Sequence, residues 1–439
     1  MIQIRAVKLM FLVVGISMIT AACAAPGASK VTENKMQNSG QKPNVTTLKI
    51  AGQEYPYSKS VLEAFDEKYP DIEVITEFSN LTVEEGTLQA ALRSGNVGPD
   101  IILMNSGPGR VGVVAKEGLI LQLDDLLAKN NILNRYQDWV VNQIKAQDQH
   151  GRVFELLEGV DVFQVYYNKE IFEQVGVNAP STWEEFLRIC QKLKDSGIQP
   201  ISSGFNGGFG AGWFGSLLVE AAAGKDTMTG VIYGDGRFDQ ESIIQGGEML
   251  KELVDKGYIN GKETLALDQR QALPPFYNGK AAMTVIPQNV LLSVDVQGEI
   301  DVTKYGTFVI PSLQKDRPSR PAAGFANSWV VNGAIDKNKL PAVEKLLDFI
   351  SSTEYLKLAL DNGGTVIPVL KDVPENGDYT PIMKDAIEKL KNGAGYNLSV
   401  YLPGKVKAEW YSVLQGIVAK EITPKEAMSK LQQAKEQAK

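Results

Sequence analysis

Pro99-Asp100-Ile101-Ile102-Leu103-Met104 is the stretch on which the fold turns. Four apolar residues follow one another without a polar break, directly after a Pro-Asp pair that starts the segment cleanly. A strand with one wet face alternates apolar and polar residues. A continuous run belongs to a strand covered on both faces, as in a parallel sheet with helices above and below. Upstream, Thr47-Leu48-Lys49-Ile50 predicts a short strand, followed by the polar turn Gly52 to Pro56. Ser58 to Tyr69 carries Val61, Leu62 and Phe65 at helical spacing, Pro70-Asp71 ends it, and Ile72-Glu73-Val74-Ile75 is a strand again. A helix over Glu84 to Ser94 leads back to the quoted run. Strand-helix-strand repetition of this kind predicts an α/β chain whose sheets are rich in parallel pairs and covered by helices.

Downstream helices announce their starts. Ser181-Thr182-Trp183-Glu184 predicts a capping box for a helix with Phe186, Ile189, Cys190 and Leu193 on one face and Gly197 as its stop. Trp183 and Cys190 are accordingly read as core. Thr423-Pro424-Lys425-Glu426 repeats the logic with Pro at the first helical position. Leu340 to Ala359 reads as one long helical segment.

The chain has 439 residues, too many for a single core, which predicts two lobes. Its net charge is −7, and loss of Arg5 and Lys8 with a leader would take it to −9. An acidic body without clustered Lys and Arg argues against a nucleic-acid partner. The chain holds one histidine and two cysteines, which excludes the usual His/Cys zinc site, and no cofactor is expected. His150, in Gln147-Asp148-Gln149-His150-Gly151, reads as part of a turn between a helix and a strand rather than as a catalytic base.

Arg5 and Lys8 precede the apolar run Leu9 to Ile19, and Thr20-Ala21-Ala22-Cys23 supplies the small residues behind which a peptidase cuts. A run of roughly a dozen residues is too short to span a bilayer, which needs about twenty. The segment resembles the lipobox of bacterial lipoproteins, with Thr20 where Leu is commonest. The resemblance implies removal of residues 1–22 and acylation of Cys23, as by palmitate. The alternative is an ordinary secretory leader with Cys23 as a spare thiol. Residues 23–44, rich in Ala, Ser, Asn, Gln, Gly and Lys without apolar period, then read as a flexible tether to the outer face of the cell membrane.

Six segments in order resemble the extracellular solute-binding proteins of bacterial ABC importers, nearest the carbohydrate-binding branch that includes maltose-binding protein. They are Gly52 with Ser58 to Phe65; Pro99 to Ile102; Val165-Tyr166-Tyr167-Asn168-Lys169; Ala179 to Phe186; Tyr277 to Met283; and Ala419 to Ala427. The resemblance implies a periplasmic-binding-protein-like fold with a ligand cleft between two discontinuous lobes, 45–160 plus 324–375 and 161–323 plus 376–439. It further implies a monomeric, non-enzymatic receptor that captures a sugar or oligosaccharide and hands it to the membrane permease. A non-sugar solute such as glycerol phosphate or a peptide is the alternative, for which Arg317 and Arg320 are the only close arginine pair.

Sugars present hydroxyls that want planar donors and acceptors, and ring faces that want aromatic stacking. Asp161 is the first polar candidate. It is a carboxylate among Val160, Val162 and Phe163, seven residues before Asn168, where the resemblance places a ligand-contacting Glu. A hinge carboxylate capped by backbone N–H groups is the competing reading. Trp410 and Tyr411 resemble a family segment whose Trp stacks on the sugar, and Trp213 lies beside the Gly-rich run Gly207 to Gly212. Glu54, Tyr55, Asn105, Ser106 and Gln288 stand at turns or strand ends expected to face the cleft. Asn327 and Ser328 are further candidates, whereas Trp329 is read as packed. Gly107-Pro108-Gly109 lacks the Gly-Lys-Ser/Thr of a phosphate loop. Tyr166-Tyr167 alternates as a strand does, against joint metal binding. A glycosidase would need two flanking carboxylates, for which Asp161 and Glu54 are the available pair.

Overall fold

The computed structural model describes residues 45–83, 85–296, 300–365, 367–374, 377 and 379–438; the segments expected to be leader and tether, with Cys23, lie outside them. Among the described residues no helix is long and apolar enough to cross a membrane.

Twelve strands form two sheets among these residues. The first sheet contains β1 (Thr46–Gly52), β2 (Ile72–Phe78), β3 (Ile101–Asn105) and β4 (Leu156–Leu157). The second contains β5 (Gly159–Asn168), β6 (Gln199–Ser202), β7 (Ala281–Pro287), β8 (Tyr305–Phe308) and β9 (Ala322–Phe325). The chain then returns to the first with β10 (Asn327–Val331), and β11 (Ile367–Pro368) and β12 (Gly395–Tyr396) join the second. Strand order is β2-β1-β3-β10-β4 in one and β12-β9-β5-β7-β6 in the other, with β8 and β11 also paired to β5. The chain therefore passes between sheets at Glu158, at Ala326 and a third time between β10 and β11. The three crossings lie side by side, because Val160 pairs with both Phe325 and Ile367.

The apolar run of β3 is buried on both faces, as its continuity requires. Ile101 and Leu103 belong to one core, Ile102 and Met104 to another with Leu88, Val111, Val114 and Val330. β1, β2 and β3 are parallel, while β10 runs antiparallel to β3 and β4. In the second sheet β12–β9 and β6–β7 are parallel, and β5 is antiparallel to every strand it meets. Both sheets are thus mixed, since β5 is entered from the first sheet and read against returning strands.

Three helix boundaries differ from expectation. The helix expected over 84–94 begins at Thr87, behind Gly86 with a left-handed φ of 73°. The box at Ser181 is shifted by one residue: Thr182 is the cap, accepting the Glu185 amide at 3.1 Å, while the Glu185 carboxylate returns to Ser181 at 2.8 Å. The segment expected from Leu340 to Ala359 is two helices, Leu340–Ile350 and Thr353–Asp361, because Ser352 leaves helical geometry and caps the second through the Tyr355 amide. The box at Thr423 forms as read, in both directions. Trp183 and Cys190 are core, and His150 sits exposed in its turn. Tyr166 enters one core and Tyr167 packs against the other, so the pair faces opposite ways.

Candidate binding site

Asp161 and Phe163 share one face of β5, two residues apart. Asp161 accepts hydrogen bonds from Gln288 Nε2 and Asn289 Nδ2, each at 3.1 Å. Both amides stand at the start of helix Gln288–Val296, which β7 delivers here by pairing Pro287 with Phe163. Burial pushes the Asp161 carboxyl up to about 7, against the opposing pull of Gln288. This is a carboxyl poised between its two protonation states, held by two neutral amides and no cation.

Gln288 itself is fully buried. Its Oε1 takes the Val162 amide, and its Nε2 also lies 3.3 Å from the Val160 carbonyl and 3.2 Å from that of Thr365. These bonds consume the side chain, so Gln288 is a suture across the crossing segments and not a direct solute contact, correcting the expectation.

Aromatic side chains gather next to Phe163. Its ring centroid lies 5.7 Å from that of Trp213; Trp213 is 6.1 Å from Phe209, and Phe209 is 6.2 Å from Tyr411. Phe209 and Trp213 come from successive turns of helix Phe209–Ala223, and Tyr411 from helix Gly404–Val418. The glycines of the preceding run make the approach possible. A Cβ on Gly208, whose φ is +89°, would fall 2.2 Å from the Tyr411 ring, and one on Gly212 would fall 2.5 Å from it. Phe209 stays 58% exposed, a ring held in water. Trp213 and Tyr411 are partly buried.

Trp410 is a correction. It is fully buried in the second core, where its ring leaves room only for glycine at 215. Neighbouring residues on a helix point about 100° apart, so burying Trp410 turns Tyr411 toward Phe209.

The first sheet contributes from the loops after β1 and β3. Tyr55 stacks on Tyr57 at 5.6 Å and donates its hydroxyl to Gln53. Its hydroxyl pKa is raised, first by burial and then by the charges of Glu158 and Asp161, while Arg110 opposes them. Tyr55 therefore lies within reach of the charges of Glu158, Asp161 and Arg110. Asn105 ends β3 half-buried opposite Asn327, and Glu54 is exposed on its turn. Ser106, Asn327 and Ser328 are corrections of a different kind. Each is buried and spent on a carboxylate: Ser106 and Ser328 on Glu155, Asn327 on Glu158 at 2.8 Å. Gly107 and Gly109 press the β3 loop onto the segment Val400 to Leu402, where added Cβ atoms would lie 2.5 Å from the Val400 carbonyl and 2.8 Å from that of Leu402. Val400 in turn lies over Gly324 beside Phe163.

Phe209, Phe163, Asn289 and Arg110 were not singled out from the sequence as site residues. The Phe209–Trp213 pair at four-residue spacing was a usable signal, whereas the meeting of Asn289 with Asp161 depends on strand pairing. No cluster of metal-ligating side chains occurs among the described residues.

Two mixed sheets joined by adjacent crossings make a two-lobed fold of the periplasmic-binding-protein type. Residues 51–357 match the family model of the bacterial extracellular solute-binding proteins, and the chain belongs to that family. The multiple sugar-binding protein of Streptococcus mutans is 23% identical over 382 residues, covering 84% of each chain. The osmoprotective compounds-binding protein GgtB of Synechocystis is 28% identical, covering 82% of each. Among solved structures, a chitin oligosaccharide binding protein superposes with a TM-score of 0.74 at 22% identity, over 90% of this chain and 99% of the other. A family 1 extracellular solute-binding protein from Bifidobacterium longum subsp. infantis gives 0.74 at 20% identity, over 90% and 100%.

Proposed function

We propose that the chain captures a sugar or short oligosaccharide between its two lobes, 45–160 plus 324–375 and 161–323 plus 376–439, and delivers it to the permease of an ABC importer. The observation that carries this reading is the row Phe163–Trp213–Phe209–Tyr411 beside Asp161 and Asn289. Aromatic faces suit the apolar faces of pyranose rings, and a carboxyl flanked by an amide suits adjacent hydroxyls. Tyr55, Asn105 and Arg110 would complete the contacts from the other lobe, favouring the closed arrangement by differential contact. The related sugar-binding protein of S. mutans supports the ligand class. No chemistry on the solute is invoked: Asp161 is held by amides and Glu54 stands exposed on a turn. In this reading the chain acts as a monomer, held at the outer face of the membrane by acylated Cys23.

Thermal unfolding of the chain against a panel of sugars and oligosaccharides tests the ligand. Saturation at a hundredfold over the dissociation constant adds about 2.7 kcal/mol, a visible rise in melting temperature. A hit lost in Trp213→Ala supports the reading; silence from folded, ligand-free protein across the panel overturns it. Arg110 favours one second reading, an anionic solute such as glycerol phosphate, which belongs in the same panel. Mass spectrometry of the membrane fraction tests the anchor, which Cys23→Ser should abolish.

A further inference from the structure

A cavity of about 720 Å³ lies on the reverse side of β9 from Asp161. Strand alternation places it there. Gly324 shares the face of Asp161, its antiparallel partner, so Phe325 points the other way. Phe325 stacks at 6.5 Å on Trp139, which lines the cavity.

Four cations line the space: Lys225, Arg320, Lys371 and Lys391. Two of them have local partners, Lys371 with Asp138 at 2.8 Å and Lys391 with Glu388 at 2.5 Å. Among the described residues, Lys225 and Arg320 have no carboxylate within ion-pair distance. Arg320 uses only its Nε, on the Asn392 carbonyl at 3.0 Å, which leaves the rest of the guanidinium uncommitted. Lys225 has its pKa held down by burial and by the charge of Arg320. Behind them, burial pushes the Glu220 carboxyl up to about 7, against the opposing charges of Arg320, Arg317 and Lys225. Near neutral pH it is therefore only partly ionised and compensates the two cations incompletely.

Two like charges brought together repel, and an anion between them converts the repulsion into attraction. We propose that this cavity binds a multivalent oxyanion of the phosphate class, held by Lys225, Arg320 and Lys371. The planar guanidinium offers two parallel N–H donors to two oxygens of one such group, a match that a lone hydroxyl does not use. The cavity shares no residue with the aromatic row.

Isothermal titration of the full chain with inorganic pyrophosphate, at low salt and without sugar, tests this independently of the solute reading. The expected result is saturable binding with a dissociation constant at or below roughly 1 mM. It should weaken about tenfold in Lys225→Gln and in Arg320→Gln, and less in Lys371→Gln. Lys405→Gln, on an exposed side chain away from the cavity, should leave it unchanged. No saturable heat, parental affinity in Lys225→Gln, or equal weakening in Lys405→Gln overturns the proposal. Arg320 also holds the Asn392 carbonyl, so if Arg320→Gln unfolds, Lys225→Gln alone decides between these outcomes. Parallel titrations with orthophosphate and glycerol phosphate separate the sources, since tighter binding of the ester assigns the cavity to a phosphate ester.

Discussion

Glu158 and Asp161 stand three residues apart at the same crossing, and their surroundings differ completely. Glu158 is buried and receives donors from all sides: Tyr57 at 2.7 Å, Asn327 and Trp329 at 2.8 Å, and the Tyr355 hydroxyl. Those donors come from the loop after β1, from β10 and from helix Thr353–Asp361, so Glu158 is a knot that ties three segments together where the chain crosses. Asp161 has two amides and no more, and shares its strand face with an aromatic wall. A carboxylate saturated by its own fold has nothing left to offer a solute. One that is half satisfied does. The same division separates Trp410, fully buried, from Tyr411, turned outward one residue later.

The comparison is broken most severely at Glu158. Glu158→Ala leaves several buried donors unpaired and should cost about 3–5 kcal/mol of stability in chemical denaturation, with or without solute. Trp410→Ala should cost a similar 3–5 kcal/mol by emptying a packed site. If either variant instead keeps its stability and loses only affinity, the division between knot and contact is wrong. Trp213→Ala and Tyr411→Ala should show the opposite pattern: stability nearly kept, and solute affinity reduced by about 1–3 kcal/mol in titration.

A further effect lies in pH. The native Asp161 pKa, about 7, exceeds its unfolded value near 4, so the folded state binds the extra proton between these limits. Its favourable contribution is full below about pH 4 and is lost as pH rises to about 7. Asp161→Asn should flatten this part of the melting-temperature profile, raising the value at pH 8 relative to the parent more than at pH 5. Glu220, also pushed up to about 7 by burial, supplies a residual slope of the same sign. A profile unchanged by Asp161→Asn would place the titration elsewhere.

What could be read in the sequence follows the range of the interaction that decides it. The β3 run and the Thr423 box are local, and they formed as written. The break at Ser352 was local too, but three consecutive polar residues, Ser351 to Thr353, do not declare which of them caps. Trp213 could be placed near open space because glycines precede it. The choice between Trp410 and Tyr411 could not be made, since it depends on which helix face meets Gly215 and which meets Gly208. Gln288 looked like a strand-end ligand because its three backbone partners lie more than 70 residues away in the chain.

Phe209 has one further consequence. A large ring kept 58% exposed orders water around itself in the empty protein, and a solute stacked on it releases that water. Capture should therefore carry a negative heat-capacity change, its enthalpy growing more favourable with each degree of warming, and Phe209→Ala should make that slope shallower.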